Sequence, residues 1–267
     1  MNKNCLETCD KLKVSHDYFL FNLYNGYFCD KKKLNPFRDC LNIIKELLPV
    51  NIKILEIGGG AGIVGQFLKE CLLEFGIDSQ LTIVDIDKTS LKYNIDPLTK
   101  KITSDNKSLP FSNNSFDIVC SRSVTHYEKS KEDIAMVLKE VSRVLKSKGF
   151  YLDQSITFEN KLERELLKNI HKILGRTLTL MSGSEYSRLL NNFLDTASFE
   201  RKMDSCFQKQ SDLKKRYPLS KDIIKQIKEL MLMNFNKNTT HFYLNNNSFG
   251  WEVPYTLFVG TKQEGMR

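Results

Sequence analysis

Four glycines that follow a short apolar run form the stretch of this chain best suited to holding a ligand. In Ile54–Gly65, ILEIGGGAGIVG, the apolar run has the pattern of a buried strand, and a helical pattern begins at Gly62. Glycine permits tight turns and lets a ligand approach the backbone closely. The first N–H groups of the helix can bind an anion, and Glu56 can attract a cation. The stretch therefore suits a ligand that carries both charges.

Two spacings compete within this stretch. Residues Gly60–Gly65 fit G-x-G-x-x-G, the dinucleotide pattern, although dehydrogenases place apolar residues where Gly58 and Gly59 stand here. Counted from Glu56, the pattern is E-x-G-x-G-x-G. That spacing resembles the first motif of the class I S-adenosylmethionine (SAM) dependent methyltransferases. We therefore expect the cofactor to be SAM and not NAD.

An acidic residue ends the next apolar run, LTIVDID at 81–87. An acid at the end of the second strand, about 20 residues beyond a glycine loop, can accept hydrogen bonds from ribose hydroxyls. Asp85 lies directly at the predicted strand end and is our candidate for this contact. Asp87 is the alternative, although it fits better as the N-cap of the helix that follows.

The segment 102–121, ITSDNKSLPFSNNSFDIVCS, is the third match to the family. There, an acid follows the third strand, a Leu-Pro-Phe turn comes next, and Ser-Phe-Asp leads into the fourth strand. The resemblance implies that Asp105 accepts from the adenine amino group and that the Asn106 backbone pairs with the ring. Asp117 is interpreted as structural. Together, the motifs imply cofactor contacts from Glu56, Gly58, Gly59, Gly60, Gly62, Asp85, Ile86, Asp105, Asn106, Ser121 and Arg122.

A histidine and a tyrosine follow the predicted fourth strand, in SRSVTHYEK. The resemblance places His126 and Tyr127 beside the methyl group or the methionine part of SAM. They are the candidate catalytic residues, acting as acid, base or hydrogen-bonding groups on the acceptor side. The alternative for His126 is a capping or packing role. His171 and His241 are isolated, and we predict that they lie on a helix face or at the surface.

The resemblance implies an α/β fold of the Rossmann-like type, with a seven-stranded, mostly parallel sheet, helices on both faces and an antiparallel final strand. Residues 1–50 are predicted to be a helical, aromatic cap segment, in which a helix begins with Asn35 as N-cap and Pro36 at its first position. Residues 51–267 are predicted to be the SAM-binding domain. Inserted helices are expected at about 160–178 and 211–236.

The segment HDYFLFNLYNGYF, residues 16–28, has more aromatic surface than one helix face can bury. It could close over the cofactor and acceptor, or it could pack against the sheet or a second subunit. A lid and a homodimer interface are both compatible with this composition.

Composition limits the location and the cofactors that we expect. No run of about 18 apolar residues is present, which argues against a membrane span. The first residues, MNKNCLETCDKLK, lack an apolar signal segment, and the seven cysteines show no paired spacing. We therefore expect a cytoplasmic protein without a metal site.

The charge of the chain and the absence of two motifs help to predict which class of molecule accepts the methyl group. The net charge is +8, and residues 160–267 hold 18 basic against 11 acidic residues, which could attract nucleic acid. Runs of Asn favour a plain compositional bias instead. The Asn/Asp-Pro-Pro-aromatic and Pro-Cys signatures of DNA-base methyltransferases are absent. The resemblance thus implies a small-molecule acceptor, with nucleic acid unlikely. Methylation of nucleic acid or protein, or SAM binding without turnover, are the alternatives.

Overall fold

A computed structural model describes residues 31–94, 96–211, 213, 217, 219–234 and 239–262. Within them, strands and helices alternate along the first half of the chain. The strands are β1 (Asn51–Ile57), β2 (Asp78–Asp85), β3 (Lys100–Thr103), β4 (Phe116–Arg122), β5 (Leu145–Ile156), β6 (Asp195–Lys209), β7 (Phe242–Leu244) and β8 (Phe249–Thr261). The helices include α1 (Asn35–Ile44), α2 (Ile63–Glu74), α3 (Lys88–Leu91), α4 (Lys131–Val144), α5 (Lys161–Ile173), α6 (Gly183–Leu190) and α7 (Lys221–Asn234).

The strands form one sheet with the order β3-β2-β1-β4-β5-β8-β6, and β7 pairs with β8. Strands β1 to β5 pair in parallel, whereas β8 is antiparallel to both β5 and β6. The predicted α/β class, the parallel sheet and the antiparallel final strand are confirmed. The predicted count of seven strands is one too low, because Phe242–Leu244 folds back on the start of β8 as a short hairpin.

Helices cover both faces of the sheet. Helices α1 and α2 pack on one face through fully buried side chains such as Phe37, Leu41 and Leu68, while α4 and α6 pack on the other through Ile134 and Leu190. Burial of each such side chain contributes about 1.5–3 kcal/mol to folding. Covering both faces explains why the strands read as continuous apolar runs.

A third apolar cluster lies where α5 and α7 meet β7 and β8. It includes Leu166, Ile170, Ile227 and Met231 around Trp251. Both helices fall within the segments predicted as insertions. That these segments are additions to a common domain stays a prediction.

Two helix starts differ from those expected from the sequence. Helix α1 begins at Asn35, but Leu34 is its N-cap residue, because a 3-10 turn over Lys31–Leu34 runs directly into the helix. The apolar pattern of α4, from Ile134 to Leu145, predicts a helix start at 134, yet the helix starts at Lys131 because the Ser130 hydroxyl accepts from the Asp133 N–H at 3.1 Å. A side-chain cap therefore sets the start of α4, whereas α1 starts without one.

The aromatic segment at 16–28 lies outside the described residues, so both of its interpretations stay predictions. No helix in the described ranges is long and apolar enough to cross a membrane. Asp117 has the predicted structural role. Its carboxylate accepts from the Lys53 N–H at 2.8 Å and from Lys146 Nζ at 2.9 Å, which joins β1, β4 and β5.

Candidate functional site

A cavity of about 630 Å³ lies at the carboxyl ends of the parallel strands. The glycine loop after β1 and the turns after β2, β3 and β4 line one end. The chain leaving α5 and residues of β6 and β8 line the other. Open α/β sheets bind ligands at this edge, and a volume of roughly 300–1,000 Å³ is typical of small-molecule sites.

The loop between β1 and α2 has a backbone that glycine alone follows easily. Gly58, Gly60 and Gly62 have φ values of +55°, +51° and +77°. A Cβ atom on Gly62 would also lie 2.1 Å from Ile83 Cδ1. Gly58 and Gly59 line the cavity, and the other two glycines shape the turn behind them. Glycine is therefore required here by the backbone and by packing inside the protein, and the close approach of a ligand to this backbone stays a prediction.

Glu56 is buried at the end of β1, and its carboxylate is engaged within the protein. It accepts from the N–H groups of Val64 and Gly65 at 3.3 and 2.8 Å, which fastens the first turn of α2 to β1. Burial raises the pKa of Glu56 to about 8, against the opposing effect of these two hydrogen bonds. The side chain lines the cavity as well, so its contact with a cofactor stays a prediction.

Asp85 and Asp87 follow β2 and line the cavity with different partners. Asp85 accepts from the N–H groups of Gly60 and Asp87 at 2.9 and 2.8 Å, which ties the glycine loop to the end of β2. Burial raises the pKa of Asp85. Asp87 accepts from the Thr89 N–H and the Ser90 hydroxyl, so its predicted role as a helix N-cap is confirmed. Ile86, between them, also lines the cavity.

The turn after β3 presents polar groups to the cavity. Asp105 accepts from the Lys107 N–H at 2.9 Å, and Lys107 Nζ lies 2.8 Å from the Glu128 carboxylate across the cavity wall. The side-chain oxygen of Asn106 is buried and has no hydrogen-bond partner among the described residues. An acceptor without a partner in a cavity wall is a feature of a ligand site.

Ser121 and Arg122 end β4, and the structure separates them. Arg122 lines the cavity and is buried, and its charge lowers the pKa of Glu56. Ser121 is not among the residues that line the cavity. Its hydroxyl lies 2.8 Å from the Tyr151 hydroxyl and donates to Asp153, inside the sheet. This position gives the cofactor contact implied for Ser121 no support.

Asp153 is a fully buried carboxylate that the sequence did not single out. It accepts from the hydroxyl groups of Ser121, Ser155 and Tyr186, the last at 2.5 Å, and burial raises its pKa. The Ser155 hydroxyl also lies 3.0 Å from that of Thr125. Through the contact between Ser155 and Thr125, the cluster supports the turn after β4.

That turn, a 3-10 helix over Thr125–Tyr127, carries the candidate catalytic pair into the cavity wall. His126 is buried and Tyr127 is 41% exposed, with ring centroids 4.2 Å apart. The Thr179 N–H donates to the His126 carbonyl at 2.9 Å, and its hydroxyl donates to the Glu128 carbonyl at 2.7 Å. The chain after α5 therefore holds the turn in place.

The two histidines expected at helix faces or the surface differ. His171 lies on α5, as the first of the two alternatives predicted, but it is buried and lines the cavity. His241 is 33% exposed and bonds through Nδ1 to the buried Glu163 carboxylate at 2.7 Å. The signal for His171 was its position four residues after Leu167, on the apolar stripe of α5.

Comparison with known proteins agrees with this geometry. Residues 55–152 match a family model described as a methyltransferase domain. This stretch is similar to the domain of class I SAM-dependent methyltransferases. The uncharacterized methyltransferase YcgJ of Bacillus subtilis is 29% identical over 104 residues, which span 38% of this chain and 39% of that protein.

Solved structures share the fold of the methyltransferase domain. A YcgJ structure from Bacillus subtilis has a TM-score of 0.72 at 20% identity, covering 88% of this chain and 100% of that one. BH2331 of Bacillus halodurans, a candidate methyltransferase, has a TM-score of 0.69 at 14% identity, with 84% and 99% covered. A SAM-dependent methyltransferase from Methanosarcina mazei has a TM-score of 0.54 at 15% identity, with 83% and 97% covered.

SAM is the methyl donor of this domain type, and the residues around the cavity fit it. The glycines let the loop pack closely on Ile83 and Val124, where a Cβ would intrude, and Gly58 and Gly59 line the cavity without side chains. Carboxylates at the ends of β2 and β3, Asp85 and Asp105, suit hydroxyl and amino donors. The unpartnered Asn106 oxygen adds an acceptor beside Asp105.

Proposed function

We propose that this protein transfers the methyl group of SAM to a small-molecule acceptor. The observation that carries this proposal is the continuity of the cavity from the glycine loop to the chain after α5. Donor and acceptor would share one space of about 630 Å³, which suits a cofactor with a small partner and not a polymer. The methyltransferase domain match supports the reaction type.

In this proposal, the end of the cavity nearest β1 to β3 binds the donor. The glycines that line the cavity let the amino-acid part approach the backbone, Asp85 accepts from the ribose hydroxyls, and Asp105 accepts from the adenine amino group. Bound SAM supplies an electrophilic methyl group. The protein's task is then to orient the two reactants and exclude water.

The turn after β4 is placed to serve the acceptor. Transfer to a protonated nucleophile requires that a proton leave it, and a ring nitrogen of His126 can accept that proton while the Tyr127 hydroxyl hydrogen-bonds to the acceptor. Both side chains line the cavity between its two ends. The Asp153 cluster and Thr179 keep the turn fixed from opposite sides.

Calorimetry with SAM, S-adenosylhomocysteine and NAD tests the donor assignment. We expect Asp85→Ala to weaken binding of either SAM form by roughly 1.5–3 kcal/mol, the scale for a hydrogen bond to a charged group. Asp87→Ala is the matched control and should weaken it much less. Tight NAD binding with no response to either SAM form would contradict the assignment, and a larger loss in Asp87→Ala would move the ribose contact.

Binding assays with nucleic acid test the acceptor class. A small-molecule enzyme should show no specific DNA or RNA binding at physiological salt. Sub-micromolar affinity that falls steeply with added salt would instead favour a polymeric acceptor, because each neutralised phosphate releases counterions.

A further inference from the structure

Charge is unevenly distributed along the cavity. Glu56, Asp85, Asp87 and Asp105 belong to the end formed by β1 to β3. A fifth lining carboxylate, Glu128, lies on the turn after β4 and pairs with Lys107 at 2.8 Å. We call the opposite end the acceptor end, lined by Leu167, His171, Arg176, Leu178, Gln208, Val253 and Tyr255. Among the described residues that line the acceptor end there is a guanidinium and no carboxylate.

The position of Arg176 is fixed by the way in which α5 ends. Gly175 has a φ of +74°, its N–H donates to the Lys172 carbonyl at 3.0 Å, and the Arg176 N–H donates to the His171 carbonyl at 2.8 Å. This pair of hydrogen bonds is a Schellman motif, which turns the chain sharply at the glycine. The residue after the glycine is thereby held at the cavity wall.

The Arg176 side chain is also oriented beyond its backbone. Its guanidinium carbon lies 5.7 Å from the centroid of the Tyr217 ring, within cation–π range. Such stacking occupies the face of the guanidinium. The N–H groups in its plane suit a carboxylate or phosphate, which they can bind through two parallel hydrogen bonds.

The rest of the acceptor end is mostly apolar. Leu167, Leu178, Val253 and Tyr255 are all buried. His171 Nδ1 lies 3.0 Å from the Leu167 carbonyl, which can only accept, so this nitrogen carries the hydrogen and the ring orientation is fixed. A ligand there would bury hydrocarbon surface against these side chains.

We propose that the acceptor is a small, largely apolar molecule with a carboxylate or phosphate group that Arg176 binds. This inference rests on the proposed function. An oxyanion bound at Arg176 would place the remainder of the molecule along the apolar wall, toward His126 and Tyr127. A cationic acceptor would be repelled at this end.

Calorimetry on the full chain saturated with S-adenosylhomocysteine tests this proposal. The probes are octanoate and benzoate, their uncharged counterparts octanamide and benzamide, and octyl and phenyl phosphate. We expect at least one oxyanion to bind tenfold or more tightly than its amide. The oxyanion that binds more tightly indicates whether the natural acceptor carries a carboxylate or a phosphate group.

Variants assign the effect to Arg176. Arg176→Gln should weaken the preferred oxyanion at least tenfold without changing affinity for S-adenosylhomocysteine, and Arg176→Lys should retain part of it. Arg188→Gln, an exposed arginine of α6 outside the cavity lining, should change neither. Equal binding of acids and amides, no oxyanion binding, or an unchanged Arg176→Gln variant would overturn the proposal. Failure to bind S-adenosylhomocysteine would instead overturn the proposed function.

Discussion

The two ends of the cavity are built in different ways. The end that we propose binds SAM, here called the donor end, consists of short turns that directly follow β1, β2 and β3. These three strands are adjacent in the sheet. The acceptor end combines the chain after α5 with residues of β6 and β8, which come together through antiparallel pairing. A site made of local turns can be recognised from its motifs, whereas a site assembled by topology cannot.

Of the substitutions that we suggest, Gly62→Ala should damage the donor end most. A left-handed φ costs a non-glycine residue about 1–2 kcal/mol, and overpacking against Ile83 adds about 1–3 kcal/mol. We expect a loss of stability on this scale and loss of S-adenosylhomocysteine binding. Thermal and urea unfolding together with calorimetry would measure both.

Gly76→Ala is the matched control for Gly62→Ala. Gly76 has nearly the same φ, +76°, but an added Cβ would meet nothing within 4 Å. Gly76→Ala should therefore lower the free energy of unfolding only by the cost of the left-handed φ, about 1–2 kcal/mol, and leave cofactor binding intact. Equal effects of the two substitutions would show that crowding at Ile83 is unimportant.

Glu56 should make the donor end sensitive to pH. Burial raises its folded-state pKa from 4.5 to about 8, so the folded protein binds this proton more tightly than the unfolded chain. The stabilisation is full below about pH 4.5 and is lost as pH rises through about 8, at up to about 1.4 kcal/mol per unit. Glu56→Gln cannot titrate and should lack this part of the slope.

Urea unfolding at intervals between pH 5 and pH 8.5 would measure the Glu56 contribution. The difference in free energy of unfolding between wild type and Glu56→Gln should change across this range by about 4 kcal/mol. If the two pH profiles ran parallel, the carboxylate would already be ionised in the folded protein.

Glu163→Gln, near the acceptor end, should lower the free energy of unfolding by a smaller amount. The buried Glu163 carboxylate accepts from the His241 N–H at 2.8 Å and from its Nδ1 at 2.7 Å, which ties α5 to the chain before β7. An amide keeps one acceptor, so we expect a loss of about 1–3 kcal/mol in unfolding free energy. S-adenosylhomocysteine affinity should not change.

The control for Glu163→Gln is Glu165→Gln, on the same helix. Glu165 is half exposed and pairs only with Lys168 in an i,i+3 contact, worth well under about 1 kcal/mol. A loss of cofactor affinity in Glu163→Gln would show that the two ends are energetically coupled.

Features with local signals were predictable from the sequence. The glycine loop, the N-cap role of Asp87 and the strands that precede the cofactor motifs follow from patterns that span a few residues each. The hairpin at Phe242–Leu244 was missed because three residues carry too little pattern. The Asn-rich turn after it, in which the Asn245 N–H bonds to the Ser248 carbonyl at 2.9 Å, was the available signal.

Features that depend on distant packing were not predictable. The amphipathic pattern of α5 shows which side is apolar, but not that His171 on that side faces a cavity. Gly175 predicts where a helix ends, but what Arg176 then faces depends on β8. The burial of Asp153 depends on hydroxyl groups from β4, β5 and α6.

Strand β8 has a consequence for how the site forms during synthesis. It follows β6 in the chain yet lies between β5 and β6, so its pairing with β5 closes a loop of about 100 residues. Ribosomes make the chain at about 5–20 residues per second, so β1 to β5 emerge several seconds before β8. A nascent chain can therefore assemble the place for the methyl donor well before the place for the molecule that receives the methyl group.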